Sequence, residues 1–421
     1  MRILILSNFY PPSRSWGYTQ LCEEVSQRLQ EHGHTIAVLT SNYGCEEISG
    51  TEENVHRLLH LESDPFFYDP IAFFVRRPFY QRQNKMALLA LVENFQPDLI
   101  FIWGMWNMSR RLPAVAEGLG SPKVVYYLAD HWPALPTPHE EYWCLPTRRR
   151  YLRPFKNVFA SLVRIGLWLE GDTPPLKFPH AMSVSKALRD SLVEKGVAVQ
   201  NATVVYNGID VKDFFSKEQS HLSENTLRLV YAGRLTPDKG VHTVIEAMIK
   251  LREERQIEDV RLTVVGEGLP GYETSLQRLV EEHQLEPYVE FRGRVDRESM
   301  PQLLRQFDVL IFPSISAEAL PRMPQEAMAC GLAVIGTTTG GTRELIIEGE
   351  TGLTFPPGNA DVLAAQIARL VTDAELRVEL TQAGRDYVLQ NFTIERMVSE
   401  IEAYLQVVAV DPATEMLPAT P

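Results

Sequence analysis

Two carboxylates in the stretch FPSISAEALPRMPQEAMACG, residues 312–331, could hold a polar ligand, because only seven residues separate Glu318 from Glu326. Pro321 and Pro324 lie between them, and a proline inside a helix removes a backbone hydrogen bond and clashes with the preceding turn. We therefore expect Glu318 on a loop and a helix that begins near Pro324, since proline favours the first helical position. That arrangement places Glu326 in the first turn of the helix.

The start of this predicted helix has the chemistry of an anion site. Met323 would stand at the cap position, and its side chain has no oxygen that could accept the free N–H groups of the first turn. Open N–H groups and the positive end of the helix dipole favour an anion, and phosphate is the usual one. The alternative is that Glu326 only complements the helix dipole while the alanines and the methionine after it only pack.

A second group of polar residues follows a predicted strand at 227–231. The loop reads GRLTPDKG, so Arg234 and Lys239 flank a turn that leads into a predicted helix. Two cations there can neutralise a diphosphate, the arginine as a fork and the lysine as a point charge. The alternative is a helix-entry loop with solvated charges. Glycines after predicted strands favour a ligand, because they let backbone approach it closely. These are Gly233, Gly240, Gly266, Gly268, Gly340 and Gly341.

Asp130 and His131 lie just past the end of a predicted strand at 123–128 in the first half of the chain. Ligands of open α/β sheets bind outside the carboxyl ends of the strands, so His131 is a candidate site residue. A single histidine is more often structural or merely exposed, and the residues alone leave that alternative open.

The elements that must position these residues alternate as in two doubly wound α/β domains. Apolar runs such as 3–6 are typical of buried parallel strands, and helical periodicity fills the segments between such runs. The polar segment 211–226 marks a boundary. We predict a first domain at 1–210, a second at 211–392, a helix at 393–408 that crosses back to the first domain, and a flexible tail at 409–421. The predicted strands include 99–103, 260–265, 289–291, 309–312 and 333–336.

Length and composition exclude several classes of protein. A chain of 421 residues exceeds one ordinary core, and 45% hydrophobic with 23% charged residues is a globular composition. The first apolar run is too short for a signal peptide or a membrane span, and the four scattered cysteines form no metal-type pair. We therefore expect a cytoplasmic protein with reduced thiols. Residues 1–210 carry 21 basic and 21 acidic residues, so the net charge of −13 lies in the second half, which argues against nonspecific nucleic-acid binding.

Two segments of the first half, 71–92 and 148–164, are basic and aromatic and contain no acid. A basic segment with an apolar face can lie on an anionic membrane surface. The alternative is a solvated helix whose apolar face packs inward. Two such segments in one half lead to the hypothesis of peripheral contact with an anionic membrane, on its cytoplasmic face, or with an anionic acceptor.

Four segments together resemble the family-four glycosyltransferases, which have the two-Rossmann GT-B fold. GRLTPDKG resembles the family's G-R-L-x-x-x-K-G, and Glu318 to Glu326, continued by AMACG, resembles its E-x7-E motif. VVYNGIDVKDF at 204–214 resembles the N-G-V/I-D-x-x-x-F segment. GGTRELI and GETGLTFPPGN within 340–359 resemble G-G-x-x-E…G-x-x-G-x-L. The resemblance extends to about Tyr404 and implies two Rossmann-like doubly wound domains that face a central cleft.

The resemblance implies transfer of a sugar from a nucleotide-diphosphate sugar to an acceptor, with retention of the anomeric configuration and without a metal or other cofactor. The enzyme would be of the hexosyltransferase type and act in polysaccharide or glycolipid biosynthesis, on a glycan, a lipid-linked acceptor or a small molecule. Arg234 and Lys239 would hold the donor diphosphate. Glu326 would bond the donor ribose and Glu318 a sugar hydroxyl.

By the same resemblance, Asp130 or His131 would face the transferred sugar. Both are therefore counted with Glu318 as candidate catalytic residues. The remaining residues expected to bind the donor are Gly17, Gly266, Gly268, Arg294, Val295, Arg322, Met323 and Pro324.

Three departures from the family pattern affect these expectations. The first loop reads Ser15-Trp16-Gly17-Tyr18 in place of paired glycines, so Trp16 would restrict the donor or stack on it. Glu318 is followed by Ala-Leu-Pro in place of Gly-Phe-Gly, and Arg322 adds a cation beside the phosphate site. Two alternatives remain open: a nucleotide-sugar-binding subunit without turnover, and an epimerase of the same fold, whose acid and base the sequence does not identify.

Overall fold

The computed structural model describes residues 1–13, 17–45, 54–65, 68–69, 76–144, 153–169, 175–214 and 226–410. The chain divides into two compact units. Unit 1 contains residues 1–184, 189–205 and those from 398 on, and unit 2 contains residues 185–188 and 206–397. Several predicted features lie outside the described residues. They are Trp16, most of the predicted linker at 211–226, and residues 71–75 and 148–152 of the basic segments.

Unit 1 is built on a seven-stranded sheet with the order β3-β2-β1-β4-β5-β6-β7 and parallel pairing throughout. β1 forms because its four apolar residues are covered on both faces, and all four are fully buried. The strands are β1 (Arg2–Leu6), β2 (Thr35–Ser41), β3 (Val55–Leu59), β4 (Leu99–Ile102), β5 (Lys123–Leu128), β6 (His180–Ser183) and β7 (Thr203–Val204). The helices between them are α1 (Gly17–Glu31), α2 (Arg77–Phe95), α3 (Arg111–Gly118), α4 (Pro138–Cys144), α5 (Arg153–Leu169) and α6 (Lys186–Glu194), of which α6 begins in unit 2.

Unit 2 contains a six-stranded sheet with the order β10-β9-β8-β11-β12-β13, again parallel. Its strands are β8 (Leu227–Ala232), β9 (Val260–Val265), β10 (Val289–Phe291), β11 (Val309–Phe312), β12 (Ala333–Thr337) and β13 (Leu353–Phe355). Its helices are α7 (Val211–Phe214), α8 (Val241–Glu253), α9 (Pro270–Glu282), α10 (Met300–Leu304), α11 (Arg322–Cys330), α12 (Ala360–Thr372) and α13 (Ala374–Asn391). The last helix, α14 (Ile394–Val410), belongs to unit 2 through Met397 and to unit 1 from Val398.

Both sheets reverse their strand order at one point, between β1 and β4 in unit 1 and between β8 and β11 in unit 2. Doubly wound sheets bind ligands at the carboxyl ends of the strands beside such a reversal. The prediction of two Rossmann-like α/β domains is therefore confirmed, and the reversals indicate where each sheet offers room for a ligand.

The predicted start of α11 is wrong by two residues. The helix begins at Arg322, two residues before Pro324, with Pro321 at the cap in an extended conformation. Glu326 consequently lies beyond the first turn. Both prolines are tolerated because the first N–H groups of a helix have no partner within the helix, so a ring that removes an N–H costs little there.

Strands β3 and β13 were not predicted. β3 contains a histidine and an arginine and is mostly half-buried, so it lacks the apolar run of the central strands. No helix in the described ranges is both long and apolar enough to cross a lipid bilayer.

Candidate active site

A cavity of about 260 Å³ lies in unit 2 where the strand order reverses. Its walls come from the end of β8 and the loop after it, the end of β11 and the loop after it, and the start of α11. The predicted residues among its walls are Arg234, Lys239, Glu318, Arg322 and Met323. The structure therefore brings together two sets of residues that were predicted separately.

The Glu318 carboxylate links these two sets. Its Oε1 atom accepts a hydrogen bond of 2.5 Å from Lys239 Nζ and one of 2.6 Å from Ser314 Oγ. Both charged side chains are largely buried, with 18% of Lys239 and 19% of Glu318 exposed. The ammonium group is thus oriented at the cavity by a fixed carboxylate. The sequence reasoning did not identify Ser314, although a polar residue just after a buried strand is a usable signal.

Two glycines hold the Glu318 loop in place. Gly341 N donates a hydrogen bond of 2.7 Å to the Glu318 carbonyl. Gly340 has φ of +57°, and a Cβ atom there would lie 2.2 Å from the same carbonyl oxygen. Only glycine permits this contact, because a side chain would collide with the neighbouring backbone. The loop that presents the carboxylate is therefore supported by backbone contacts as well as by its ion pair.

Gly266 and Gly268 lie at the carboxyl end of β9, beside the Arg234 loop. A Cβ atom on Gly266 would lie 1.8 Å from Gly233 O, and one on Gly268 would lie 2.0 Å from Leu235 O. These glycines are therefore required by the packing of two loop backbones. Contact with a donor, which the resemblance implies for them, stays a prediction.

Arg294 and Val295 follow β10 on the same edge of the sheet. Gly266 N donates to Gly293 O at 2.7 Å, which joins the loop after β9 to the segment that leads to these two residues. Arg294 is exposed and Val295 is half-buried. Their expected contact with the donor stays a prediction.

Glu326 is fully buried on α11. Its Oε1 atom accepts a hydrogen bond of 2.6 Å from Arg297 Nη2 and lies 3.8 Å from Arg322 Nε. Its Oε2 atom has no hydrogen-bond partner among the described residues. A buried carboxylate oxygen without a donor is costly, so a ligand hydroxyl at this position would be favourable. Arg297 was not predicted, because nothing local to its sequence points at a residue 29 positions away.

The start of α11 has no side-chain cap, since Pro321 has no group that could accept its N–H bonds. Pro324 is buried in the first turn. Met323 and Arg322 occupy the first two positions of the helix and line the cavity. The expected anion site therefore remains geometrically open, two residues earlier than predicted.

In unit 1, Asp130 lies after β5 on the edge where the order of β1 and β4 reverses. Burial raises the pKa of its carboxyl to about 6, although the hydrogen bond that it accepts from Trp132 N at 2.7 Å opposes the shift. The pKa of Tyr18 is well above its ordinary value, mainly through burial and also because of the nearby Asp130 charge. Tyr18 donates a hydrogen bond of 2.9 Å to Asn8 Oδ1.

The Tyr18 ring lies against Gly104 at the end of β4, where a Cβ atom would be only 2.3 Å from the ring. The sequence reasoning missed Asn8, Tyr18 and Gly104, although Asn8 and Gly104 each lie two residues beyond the end of a buried strand. His131 is half-buried beside Asp130, and Gly17 is the first residue of α1. In the described part of the chain, no three His, Cys, Asp or Glu side chains form a group that could hold a metal ion.

Two family models match consecutive parts of the chain. The model for Glycosyltransferase Family 4 matches residues 17–213, and the model for group 1 glycosyl transferases matches residues 213–387. The chain belongs to the family 4 glycosyltransferases. The second match contains the whole cavity of unit 2, and the first contains Asp130 and its neighbours.

Curated relatives of this family 4 member differ in how much of the chain they cover. The N-acetyl-alpha-D-glucosaminyl L-malate synthase of Bacillus anthracis is 31% identical over 226 residues, 52% of this chain and 57% of that protein. An uncharacterized glycosyltransferase of Methanocaldococcus jannaschii is 25% identical, and the chain again spans 57% of its length. The glycogen synthase of Mycobacterium tuberculosis is 24% identical over 93% of this chain and 91% of that protein.

Solved structures agree with the GT-B architecture. HepE of Anabaena, solved in complex with UDP, superimposes with a TM-score of 0.69 over 96% of this chain and 100% of that one, at 19% identity. Sucrose-phosphate synthase of Thermosynechococcus elongatus gives a TM-score of 0.70 over 97% and 100%, at 20% identity. At these identities the likeness concerns the fold alone.

Proposed function

We propose that the chain transfers a sugar from a nucleoside-diphosphate sugar to an acceptor, with retention of the anomeric configuration. The observation that carries this proposal is the cavity of unit 2, where Arg234, Lys239 and the uncapped start of α11 converge beside Glu318. A diphosphate needs cations and open N–H groups, and a sugar needs a fixed hydroxyl acceptor. The wall of this cavity contains both the positive groups that suit a diphosphate and a carboxylate that can accept hydrogen bonds from sugar hydroxyls.

The chemical difficulty in such a transfer is the leaving group. As the bond between the anomeric carbon and the phosphate oxygen breaks, its electron pair and the negative charge stay on the nucleoside diphosphate. Arg234 and Lys239 would stabilise that charge, together with the helix start, because preorganised positive groups act most strongly where charge develops. Glu318 keeps the Lys239 ammonium oriented, and Glu326 Oε2 would accept a hydrogen bond from a donor hydroxyl.

We propose that this charge stabilisation by side chains and backbone is sufficient without a divalent metal. Transfer should then persist in EDTA. Loss of transfer in EDTA that Mg²⁺ or Mn²⁺ restores would contradict the proposal.

A sugar linked to UDP is the first donor to test, because the structurally similar protein HepE has been solved with UDP and with UDP-glucose. The acceptor side is assigned to unit 1. Asp130, with a pKa of about 6, is mostly ionised at neutral pH and would accept a proton from an acceptor hydroxyl.

Peripheral contact with the cytoplasmic face of an anionic membrane also belongs to this proposal. α5 exposes Val158, Phe159, Leu162 and Ile165, which share one face by their spacing. The segment that contains them is basic and has no acid up to residue 164. Charge complementarity therefore favours anionic lipid over a neutral partner.

A binding panel tests the donor assignment. The melting temperature of the full-length protein is measured with UDP, GDP, ADP and TDP and with the corresponding nucleoside-diphosphate sugars of glucose and N-acetylglucosamine. In a separate assay on native protein, release of the free nucleotide from each nucleotide sugar is measured with and without acceptor mixtures. A ligand at 100 times its dissociation constant should stabilise the native state by about 2.7 kcal/mol. No shift with any of these compounds would overturn the proposal. Binding without any hydrolysis or transfer would favour the nucleotide-sugar-binding subunit instead.

A further inference from the structure

A second cavity, of about 400 Å³, lies in unit 1 between α2 and the start of α3. Three of the ten residues in its wall are cations, namely Arg82, Lys85 and Arg111. No Asp or Glu occurs in this described wall, although the whole chain has a net charge of −13. Such a concentration of positive charge around one cavity favours an anionic ligand.

Arg82 and Lys85 are both exposed, and they stand three positions apart on α2, so they project from the same face of the helix. Among the described residues, neither has an ion-pair partner. Their charges are therefore available to a ligand without the loss of an existing ion pair. Ser109 and the Gln81 amide, 3.2 Å apart, add hydrogen-bonding groups to the wall.

The topology places this cavity on the same sheet edge as Asp130. In a parallel α/β unit a helix begins near the carboxyl end of the strand before it, so the start of α3 follows the carboxyl end of β4. The last turn of α2 leads into the start of β4, so the first turns of α2 lie near the carboxyl ends of the strands, at the same edge of the sheet. Asn84 confirms this by two hydrogen bonds of 2.8 Å to the backbone of His60, just beyond β3. The cations therefore lie on the edge that we assign to the acceptor.

We propose that this cavity binds a phosphate group carried by the acceptor. An arginine fork and a lysine point charge suit phosphate oxygens, and the two cations Arg82 and Lys85 balance a doubly charged phosphate group better than a single carboxylate. The volume exceeds that of one phosphate, so part of the attached group would also enter. The identification of the ligand as the acceptor rests on the proposed transferase function. The binding of phosphate by this cavity does not depend on that function.

The test separates this site from the donor cavity. Full-length protein with Arg234→Gln and Lys239→Gln, which removes the cations of the unit 2 cavity, is titrated calorimetrically with inorganic pyrophosphate. Adding Arg82→Gln and Lys85→Gln should weaken binding at least tenfold. The matched control, Lys195→Gln at an exposed lysine of unit 1, should change it less than twofold. Equal affinity in the Arg82/Lys85 variant, or no binding in either protein, would overturn the proposal.

Two further arms distinguish the source of the phosphate. Glucose 1-phosphate represents a soluble acceptor, and vesicles of phosphatidic acid compared with phosphatidylcholine represent a lipid-borne one. Binding that depends on Arg82 and Lys85 in one arm supports the site and identifies the source, and dependence in neither arm overturns it. If the pyrophosphate result holds while no nucleotide sugar binds the unaltered protein, the proposed donor assignment fails and this site stands.

Discussion

Lys239 and Glu318 form the charged centre of the unit 2 cavity. Their hydrogen bond of 2.5 Å fixes the ammonium, and Ser314 donates a second hydrogen bond to the same carboxylate oxygen. A side chain held in place loses less entropy when a ligand arrives, which favours tight binding of a diphosphate. The pair therefore has two roles in the proposed function, as phosphate ligand and as its orienting partner.

We expect Lys239→Gln and Arg234→Gln each to weaken nucleoside-diphosphate binding. Loss of a charge-assisted hydrogen bond should cost roughly 1.5–3 kcal/mol, or about a tenfold to hundredfold rise in the dissociation constant. Calorimetry with the best nucleotide of the panel measures it. Arg255→Gln, at an exposed arginine outside the cavity, is the matched control. Equal affinities in all four proteins would exclude these cations from the donor site.

Gly266 illustrates a residue that is required by backbone packing. Its φ of +138° and the 1.8 Å distance from a Cβ atom to Gly233 O leave no room for a methyl group. We expect Gly266→Ala to lower the free energy of unfolding by roughly 2–4 kcal/mol, through strain and overpacking. Urea denaturation followed by circular dichroism measures the change.

Gly271 provides the control for this substitution. It lies in the first turn of α9, and a Cβ atom there would have no neighbour within 4 Å. Gly271→Ala should therefore leave the stability within about 1 kcal/mol of the original protein. A Gly266 variant as stable as the Gly271 variant would show that the loop backbones can separate at little cost.

At the scale of elements, α5 is notable for its exposed apolar face. Leu162 and Ile165 keep 47% and 52% of their surface exposed. Burial of such side chains in the interface of a bilayer is favourable, and cations beside them add a salt-sensitive attraction to anionic lipid. We therefore expect α5 to attach the protein weakly and reversibly to the surface of an anionic membrane, without insertion across the bilayer.

We expect Leu162→Ser with Ile165→Ser to reduce binding to phosphatidylglycerol vesicles about tenfold in flotation at low salt. The unaltered protein should bind phosphatidylcholine vesicles less well. Val407→Ser on α14, at a side chain with 68% of its surface exposed, controls for the loss of an apolar group elsewhere. If the unaltered protein remains unbound to anionic vesicles, α5 does not contact a membrane.

At the scale of the whole molecule, α14 connects distant parts of the sequence. Glu402 accepts hydrogen bonds from His32 at 2.7 Å and from His34 at 3.0 Å, some 370 residues earlier in the chain. The hydrogen bond from His32 is the main cause that lowers the pKa of Glu402 below its ordinary value, with His34 acting in the same direction. The last helix is thus joined to the beginning of unit 1 by a titratable contact.

This contact predicts a pH dependence with a definite sign. A carboxyl group whose pKa is lowered in the folded state stabilises the protein above its unfolded pKa of about 4.3, and this contribution is lost as the pH falls through the folded pKa. Between pH 5 and pH 3, the free energy of unfolding should therefore fall more steeply for the original protein than for Glu402→Gln. Urea titrations at several pH values measure both slopes, and parallel slopes would refute the coupling.

The sequence by itself determined most strands of both sheets, all except β3 and β13, and much of the candidate site. The predicted strands at 260–265, 289–291 and 309–312 match β9, β10 and β11. β9 and β11 are almost wholly buried, and such a strand shows its position in local composition. Arg234, Lys239 and Glu318 could be singled out for a related reason. Each follows a strand of a parallel sheet, where ligands bind.

Tertiary structure alone decided which of these residues meet. Lys239 and Glu318 are 79 positions apart, and their ion pair exists because β8 lies beside β11 in the sheet. Glycine is required at positions 266 and 268 because the backbone of another loop packs against them. Three cations, Arg82, Lys85 and Arg111, surround one cavity because α2 packs against α3. Local patterns report burial and periodicity within one segment. The order of strands and the packing of helices depend on the free energy of the whole chain, so contacts between segments could be known only from the fold.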